Sequence, residues 1–385
     1  MLRELLAISK KVVLIIIIVS LVGCTTITYD QPIPTVQQKF WISIQSSNGG
    51  TTDPDGRFQI TEGNTQRIII TPDDGYLVDS VTIDGVQVAS SNIITLEVIN
   101  SDRNVDVSFR RERVCLVLSV GGVNGLSHMG ALDALIGHRR RQPDYVYGNS
   151  MGALVGSLYV TAPDESLSGR YRTLLSDYEE TTRRDRTRSI STGVILGSVA
   201  AAIATGGIGL VAVAAAAAGW IVGNRAEPLI SHERFSRTLD VYLDHTMMED
   251  TEIEFGTSYM RKEGEGIELV VSTRGNLAEA VSRSINNPYI FKGTDLSYVD
   301  PGSDRMSAVP IEEAFSAFRP DRIIAINATG SPAIYSDRVT CEVEEIRIPV
   351  LEAIDLQNAL RGADPDFTRL YRAGWDAVVE HYSVM

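Results

Sequence analysis

The segment DYVYGNSMGALVGSLYV, residues 144–160, joins a short apolar run, a serine between glycines and a helical pattern. The apolar run predicts a buried strand, and the spacing of the apolar residues after it predicts a helix. Gly148 and Gly152 lie two residues from Ser150, where a sharp strand–turn–helix connection needs small residues because strand and helix nearly collide. Such a turn lifts the serine hydroxyl clear of the sheet. The segment therefore predicts a nucleophile elbow, although an ordinary turn rich in Gly and Ser has the same composition.

Residues 111–385 carry further apolar runs that predict strands of the same sheet. With DYVYG, these are VCLVLSV (114–120), GIELVVS (266–272) and DRIIAIN (321–327), and helical patterns lie between them. This layout is typical of an α/β domain, a parallel sheet with helices on both faces. Such sheets collect their active sites at the carboxyl ends of the strands, so Ser150 is expected at such an end.

A glycine-rich turn follows the first of these strands, in SVGGVNGLSHMGALDAL (119–135). A turn of this kind exposes backbone N–H groups at the positive end of a helix, where an anion is stabilised. The segment has no lysine and lacks the phosphate-loop and dinucleotide-binding patterns. It therefore predicts an oxyanion hole in preference to a nucleotide site, with the candidate residues Gly121, Gly122, Val123, Asn124 and Gly125.

A serine hydroxyl needs a base to attack well, and no histidine lies in a compelling local motif. The histidines are His128, His138, His232, His245 and His381. A carboxylate is more suggestive, because Asp300 ends an apolar run and precedes Pro301 and Gly302. Asp before Pro-Gly is also typical of an ordinary turn.

Taken in order, these segments resemble the patatin-like phospholipase family over about residues 113–385. The resemblance rests on LSVGGVNGLSHMGALDAL (118–135) and GNSMGALVG (148–156), followed by AVSRSINNPYIF (280–291) and Asp300. It implies an acyl hydrolase with a Ser–Asp dyad and without a metal or organic cofactor. Ser150 would attack an ester carbonyl of a phospholipid or another acyl lipid, and Asp300 would accept the serine proton. The loop amides would hold the oxyanion, and the elbow would comprise Gly148, Asn149, Met151 and Gly152.

The chain departs from the family pattern in its catalytic loops. Asn124 stands where the family has a basic residue, and Pro301 occupies the middle of an Asp-Gly-Gly or Asp-Gly-Ala motif. The interval from Asp300 to Pro310 is also about two residues longer than usual. These departures favour an alternative function, a catalytically silent surface lipoprotein that binds or adheres. A further alternative is a triad in which Asp300 orients His381, since the chain order Ser, Asp, His permits it.

The N-terminus, MLRELLAISKKVVLIIIIVSLVGC (1–24), has a positive start, a short apolar run and a final Gly-Cys. This resembles a bacterial lipoprotein signal peptide with its lipobox. The resemblance implies a signal peptide over residues 1–23, lipid attachment to Cys24 and a place in the cell envelope, at the outer membrane if the organism has one. Residues 24–38 are polar and predict a tether.

Residues 39–110 contain short runs of alternating apolar residues separated by Asp, Gly, Asn and Pro turns, and they predict a small all-β domain. The string ITPDDGYLVDSVTIDGVQV (70–88) resembles a divergent internalin B-repeat-type module. That resemblance implies a spacer or adhesive unit.

Residues 189–224 form an apolar insert that is rich in Ala and Gly and contains no charged residue. One membrane crossing would place Ser150 and Asp300 on opposite sides of the bilayer, and two crossings would need more apolar residues than the insert supplies. The segment therefore predicts a helical hairpin that turns at Gly206–Gly207. Burial in the hydrolase and contact with lipid are equally compatible with its composition.

Composition limits the partners. The 385-residue chain has a formal net charge of -14 and a sequence pI of about 4.9, which argues against nucleic acid as a general partner. Three cysteines provide no disulfide framework. The sequence contains no metal-ligand cluster, so the predicted partners are an acyl-lipid substrate and a membrane.

Overall fold

The computed structural model describes residues 37–139, 142–188, 230–264, 266–287, 291–293, 295, 297–352, 354 and 365–383. The chain divides into two compact units between Arg111 and Glu112. The predicted signal peptide (1–23), the lipidation site Cys24 and the apolar insert (189–224) lie outside the described residues.

The first unit is all β, as predicted. Its strands are β1 (Lys39–Ser46), β2 (Gly50–Asp53), β3 (Gly56–Thr61), β4 (Gln66–Pro72), β5 (Tyr76–Ile83), β6 (Val86–Val88), β7 (Ile93–Leu96) and β8 (Arg103–Arg111). They form a sheet of order β3-β1-β8-β5-β6 and a second sheet of order β2-β4-β7. Alternate apolar side chains of both sheets, such as Ile42, Ile68 and Val105, share one buried core because successive strand residues point to opposite faces.

The second unit is a mixed α/β fold. Its strands are β9 (Val114–Leu118), β10 (Tyr145–Gly148), β11 (Ile230–Ser231), β12 (Glu254–Glu263), β13 (Gly266–Ser272), β14 (Phe291–Lys292), β15 (Tyr298–Val299), β16 (Arg322–Asn327) and β17 (Glu342–Arg347). Its helices are α1 (Ser127–Arg139), α2 (Met151–Val160), α3 (Leu167–Arg188), α4 (His232–Tyr242), α5 (Leu277–Ser284), α6 (Ile311–Phe318) and α7 (Asp366–Ser383). Among the described residues, none of the helices combines the length and apolar character that crossing a membrane requires.

The main sheet has the order β13-β12-β10-β9-β16-β17, with β15 also paired to β12. Within this order, the neighbouring strands β12, β10, β9, β16 and β17 run parallel to one another, which confirms the predicted fold class. The run GIELVVS is instead an antiparallel edge strand, β13. Only residues 264–265 separate it from β12, and a connection that short makes a hairpin because a parallel crossover needs a dozen or more residues.

Helices cover both faces of this sheet. Leu116 and Leu118 of β9 belong to the larger core, which includes side chains of α1 and α2. Cys115 and Val117, which alternate with these leucines along β9, belong to a second core with Ile311 of α6. Successive side chains of β9 thus point into cores on opposite faces of the sheet, as expected for an uninterrupted apolar strand that is buried on both faces.

Helix α7 packs tightly on α1 through two glycines. A Cβ added to Gly374 would lie 1.9 Å from the Ser127 carbonyl oxygen, and one on Gly130 would lie 1.9 Å from that of Tyr371. The Tyr371 hydroxyl also donates a 2.7 Å hydrogen bond to Asp133 Oδ2. The two helices therefore touch at backbone distance, which only glycine permits at these positions.

We expect Gly374→Ala to destabilise the protein by about 1–3 kcal/mol, because the added methyl group forces α7 away from α1. Urea unfolding followed by tryptophan fluorescence measures this loss. Gly137→Ala is the matched control, since Gly137 lies in α1, the helix on which α7 packs, but a Cβ there meets nothing within 4 Å. Equal stability of Gly374→Ala and wild type would contradict the packing.

Candidate active site

Ser150 lies in a sharp turn between β10, which ends at Gly148, and α2, which begins at Met151. Its backbone has φ 53° and ψ −122°, a conformation that non-glycine residues rarely adopt and that costs about 1–3 kcal/mol. A Cβ on Gly148 would lie 2.4 Å from the Gly152 carbonyl oxygen, and one on Gly152 would lie 2.4 Å from that of Leu118. The backbone therefore approaches both positions so closely that only glycine fits there.

The Ser150 hydroxyl donates directly to Asp300. The distance from Ser150 Oγ to Asp300 Oδ2 is 2.7 Å, across 150 positions of sequence. Asp300 follows β15 and caps the short 3₁₀ helix Pro301–Ser303, where its Oδ1 accepts a 2.7 Å hydrogen bond from the Gly302 N–H. Pro301 occupies the first helical position, where a missing N–H and a fixed φ are tolerated. The proline in this motif therefore leaves the Asp300 carboxylate oriented toward Ser150.

Burial changes the acid–base behaviour of Asp300. The side chain is buried, and this desolvation raises its pKa from 3.8 to about 6, although hydrogen bonds from Ser150 and Gly302 partly oppose the shift. A carboxylate with a pKa nearer to neutrality is a stronger base than an ordinary aspartate while it remains ionised at neutral pH. The geometry and the pKa together suit Asp300 to accept the Ser150 proton.

The glycine-rich loop lies beside the elbow. Residues Gly122–Leu126 form a 3₁₀ helix between β9 and α1, and a Cβ on Gly125 would lie 2.6 Å from Met151 Cβ. The Gly125 N–H donates to the Gly121 carbonyl at 3.3 Å, so that amide is engaged within the loop. The first N–H groups of a helix have no intrahelical acceptor, which leaves Gly122 and Val123 as the loop's candidate oxyanion donors.

Asn124 and Val123 anchor this loop. Asn124 is buried, and its Oδ1 accepts a 3.3 Å hydrogen bond from the Leu351 N–H after β17. The Val123 side chain is buried in the larger core. At the position where the family pattern has a basic residue, this chain therefore has a neutral side chain, which fixes the glycine-rich loop to the segment that follows β17.

The described histidine side chains have partners other than the dyad. His128 is buried, its Nε2 lies 2.9 Å from the Ser119 carbonyl oxygen, and burial lowers its pKa to about 4. His232 contacts the Ser282 carbonyl, and His245 contacts Asp240. His381 Nε2 lies 3.0 Å from Glu344 Oε1. The alternative triad is therefore wrong for this structure, because His381 faces Glu344 while Asp300 bonds to Ser150 itself.

Two positioning contacts come from AVSRSINNPYIF, a segment to which the sequence assigned no roles. Ser284 Oγ accepts a 3.0 Å hydrogen bond from the Ser150 N–H. The Asn286 carbonyl accepts from the Asp300 N–H at 3.2 Å. Ser284 and Asn286 are both buried, at the last residue of the amphipathic helix α5 and just beyond it. Ser284 falls at helical spacing from the buried Leu277 and Val281, so a polar residue on the apolar face is the signal in the sequence.

In the part of the chain that the structure describes, no group of three or more His, Cys, Asp or Glu side chains could hold a metal ion. Cys115 and Cys341 are free thiols, and burial is the main cause that raises the pKa of each. These thiols are therefore poor nucleophiles compared with an exposed cysteine.

Comparison with known proteins identifies the family. The patatin-like phospholipase family model matches residues 116–315, just over half of the 385-residue chain. A patatin-like phospholipase domain-containing protein of Caenorhabditis elegans is 47% identical over 62 residues, 16% of this chain and only 6% of that relative's length.

Solved structures show weaker likenesses. VipD from Legionella pneumophila is 12% identical with a TM-score of 0.30, and the match covers 71% of this chain and 67% of that chain. The heterodimeric ExoU–SpcU complex from the Pseudomonas aeruginosa type III secretion system is 15% identical with a TM-score of 0.31. That match covers 88% of this chain and 58% of that chain.

The raised pKa of Asp300 predicts that Ser150 becomes more reactive as the pH rises through about 6. The ionised carboxylate accepts the Oγ proton, whereas below this pH Asp300 is protonated and cannot. The measurement is the rate at which a fluorophosphonate probe labels Ser150, from acidic to neutral pH. Asp300→Asn serves as the control with no titrating base, and a wild-type midpoint near 3.8, the ordinary aspartate value, would refute the prediction.

Proposed function

Because the chain belongs to the patatin-like phospholipase family, we propose that it is a serine acyl hydrolase of the phospholipase or lipase type. It cleaves carboxylic ester bonds of lipids with Ser150 as nucleophile and Asp300 as base. The observation that carries the proposal is the 2.7 Å hydrogen bond from Ser150 Oγ to Asp300 Oδ2, at a nucleophile elbow with a strained backbone.

Acylation begins when Ser150 Oγ attacks the ester carbonyl carbon. Asp300 Oδ2 takes the hydroxyl proton as the new O–C bond forms, and the carbonyl oxygen becomes an oxyanion. When the tetrahedral intermediate collapses, the bond to the leaving alcohol breaks and Asp300 returns the proton to that alcohol. The products are an acyl-serine and, for a phospholipid substrate, a lysophospholipid.

Deacylation repeats the sequence with water. Asp300 takes a proton from water, the hydroxide oxygen attacks the acyl carbon, and collapse releases the fatty acid and restores the Ser150 hydroxyl. One carboxyl group therefore serves as base and then as acid in each half-reaction, which its pKa of about 6 suits at neutral pH.

The glycine-rich loop stabilises the oxyanion in this mechanism. Its close approach to Met151 supports this role, and so do the candidate donors at Gly122 and Val123. One preorganised oxyanion-hole donor contributes about 3 kcal/mol of transition-state stabilisation in studied hydrolases. Gly121, Asn124 and Gly125 shape and anchor the loop that presents these donors.

The enzyme takes its lipid substrate directly from the membrane to which it is anchored. The signal peptide pattern and Cys24 support an envelope lipoprotein held by acyl chains at a bilayer, at the outer membrane where one exists. The apolar insert 189–224 supports a second, shallow contact with lipid, and the arginines that precede it would face the headgroups. Tethering at the bilayer keeps the enzyme beside its water-insoluble substrate.

We expect Ser150→Ala and Asp300→Asn each to reduce fatty-acid release by on the order of 10³-fold or more, because each removes one half of the dyad. The assay measures fatty acid released from mixed phospholipid vesicles, together with fluorophosphonate labelling. His381→Ala is the control, and its rate should match the wild type because His381 faces Glu344. A folded wild-type protein that neither labels nor hydrolyses would favour the silent binding lipoprotein instead.

We expect Cys24→Ala to abolish incorporation of radiolabelled palmitate and to leave an unprocessed precursor, because the acyl acceptor is the Cys24 sulfur. The full chain is expressed in a bacterium and followed by gel mobility and autoradiography. Cys341→Ala, which removes another cysteine, should retain the label. Equal labelling of the Cys24→Ala protein would overturn the proposed anchor.

A further inference from the structure

A chain of buried hydrogen bonds connects α6 with the nucleophile elbow. Glu313 lies in the first turn of α6, and its Oε1 accepts a 2.6 Å hydrogen bond from the Ser307 hydroxyl. The Ser307 carbonyl accepts a 2.9 Å hydrogen bond from Asn149 Nδ2. Asn149, Ser307 and Glu313 are 0%, 1% and 6% exposed, so water does not compete for these contacts.

The other end of the Asn149 side chain is held equally firmly. Its Oδ1 accepts 3.0 Å and 2.9 Å hydrogen bonds from the N–H and hydroxyl of Ser258 in β12. The amide plane is thus fixed between β12 and the segment before α6. Since Asn149 immediately precedes Ser150, its position limits how far the strained backbone at Ser150 can relax.

We infer that Glu313 is a positioning residue for Ser150 and acts through Ser307 and Asn149. The inference rests on the proposed function, since Ser150 needs an exact position only if it attacks a substrate. Glu313 bonds to Ser307, and Ser307 bonds to Asn149, the residue before Ser150. Its role is to fix the Ser307 segment, whose carbonyl orients Asn149.

Core stability alone does not account for a carboxyl group at this place. Burying a carboxyl group costs free energy that an apolar side chain of similar size avoids. Burial raises the pKa of Glu313, and the Ser307 hydroxyl only partly offsets this. The negative charges of the neighbouring Asp304 and Glu312 raise the pKa of Glu313 further. On the side of the elbow, burial raises the pKa of the Tyr147 hydroxyl of β10, and Glu313 is close enough for its charge to raise that pKa further.

The same segment also holds the glycine-rich loop. The Ala308 carbonyl, next to Ser307, accepts a 2.9 Å hydrogen bond from the Val120 N–H. Ser307 Oγ additionally lies 3.2 Å from Asp304 Oδ2, which steadies the turn. The interval between Asp300 and Pro310 is longer than the family pattern, and it carries contacts to both the elbow and the loop.

The test is a double-mutant cycle of Glu313→Ala and Asn149→Ala, assayed by vesicle hydrolysis and by the rate of fluorophosphonate labelling. We expect Glu313→Ala to lower kcat roughly 10- to 100-fold with KM nearly unchanged, because a small displacement of the nucleophile costs turnover more than binding. In the Asn149→Ala background, Glu313→Ala should cost little more, since the path to Ser150 is already broken. Glu313→Gln, which keeps the contact to Ser307, should restore most of the rate.

Glu312→Ala is the matched control, because Glu312 is the neighbouring glutamate of α6 and accepts from the Ser336 N–H instead. It should leave kcat unchanged in both backgrounds, and melting temperatures of all variants identify any that unfold. If Glu313→Ala does not fold, Ser307→Ala replaces it in the cycle, since it removes the same contact and keeps the carbonyl bound to Asn149.

The outcomes separate the two proposals. Additive losses, or a Glu313→Ala enzyme with wild-type kcat, would overturn the positioning role while wild-type hydrolysis still upheld the dyad. A folded wild type that neither hydrolyses nor labels would overturn the proposed function, and the positioning role with it. Loss of kcat in Glu313→Ala, rescue by Glu313→Gln and non-additivity with Asn149→Ala together would establish it.

Discussion

The strained backbone at Ser150 is the constraint on which the rest of the hydrolase unit depends. A φ of 53° at a non-glycine residue persists only where its surroundings over-determine it. Here Gly148 and Gly152 permit the approach of β10 and α2, and the Ser150 N–H is fixed by the Ser284 hydroxyl. Packing on both sheet faces offsets the cost of this conformation, which leaves the serine hydroxyl at the carboxyl end of β10.

The electrostatics of Asp300 depend on the same geometry. A buried carboxylate with few donors becomes a stronger base, but too little stabilisation would leave it protonated and inert. Ser150 Oγ and the Gly302 N–H each bond one carboxylate oxygen, so burial raises the pKa of Asp300 only to about 6. In the proposed mechanism the dyad needs no histidine, because the pKa of the base is already near the pH at which it must exchange protons.

The departures from the family pattern have local structural solutions. Pro301 starts a 3₁₀ helix, where its missing N–H costs nothing, and Asn124 exchanges a positive charge for a hydrogen bond to the Leu351 N–H. The longer interval before α6 supplies Ser307 and Ala308 for contacts to the elbow and the loop. None of the three departures disrupts the geometry between Ser150 and Asp300.

The sequence by itself determined the α/β class, the all-β unit and the elbow, because strand alternation, helical spacing and paired glycines are local patterns. It did not reveal that β13 is antiparallel, because β12, with the sequence EFGTSYMRKE, lacks the apolar run that predicts a strand, and the two-residue connection between the strands then goes unseen. Only the tertiary structure decided which polar groups meet. It placed His381 against Glu344, Ser284 against the Ser150 N–H, and Asn149 between Ser258 and Ser307. These partners are far apart in sequence, and a hydrogen bond depends on distances and angles that the packing of the strands and helices sets.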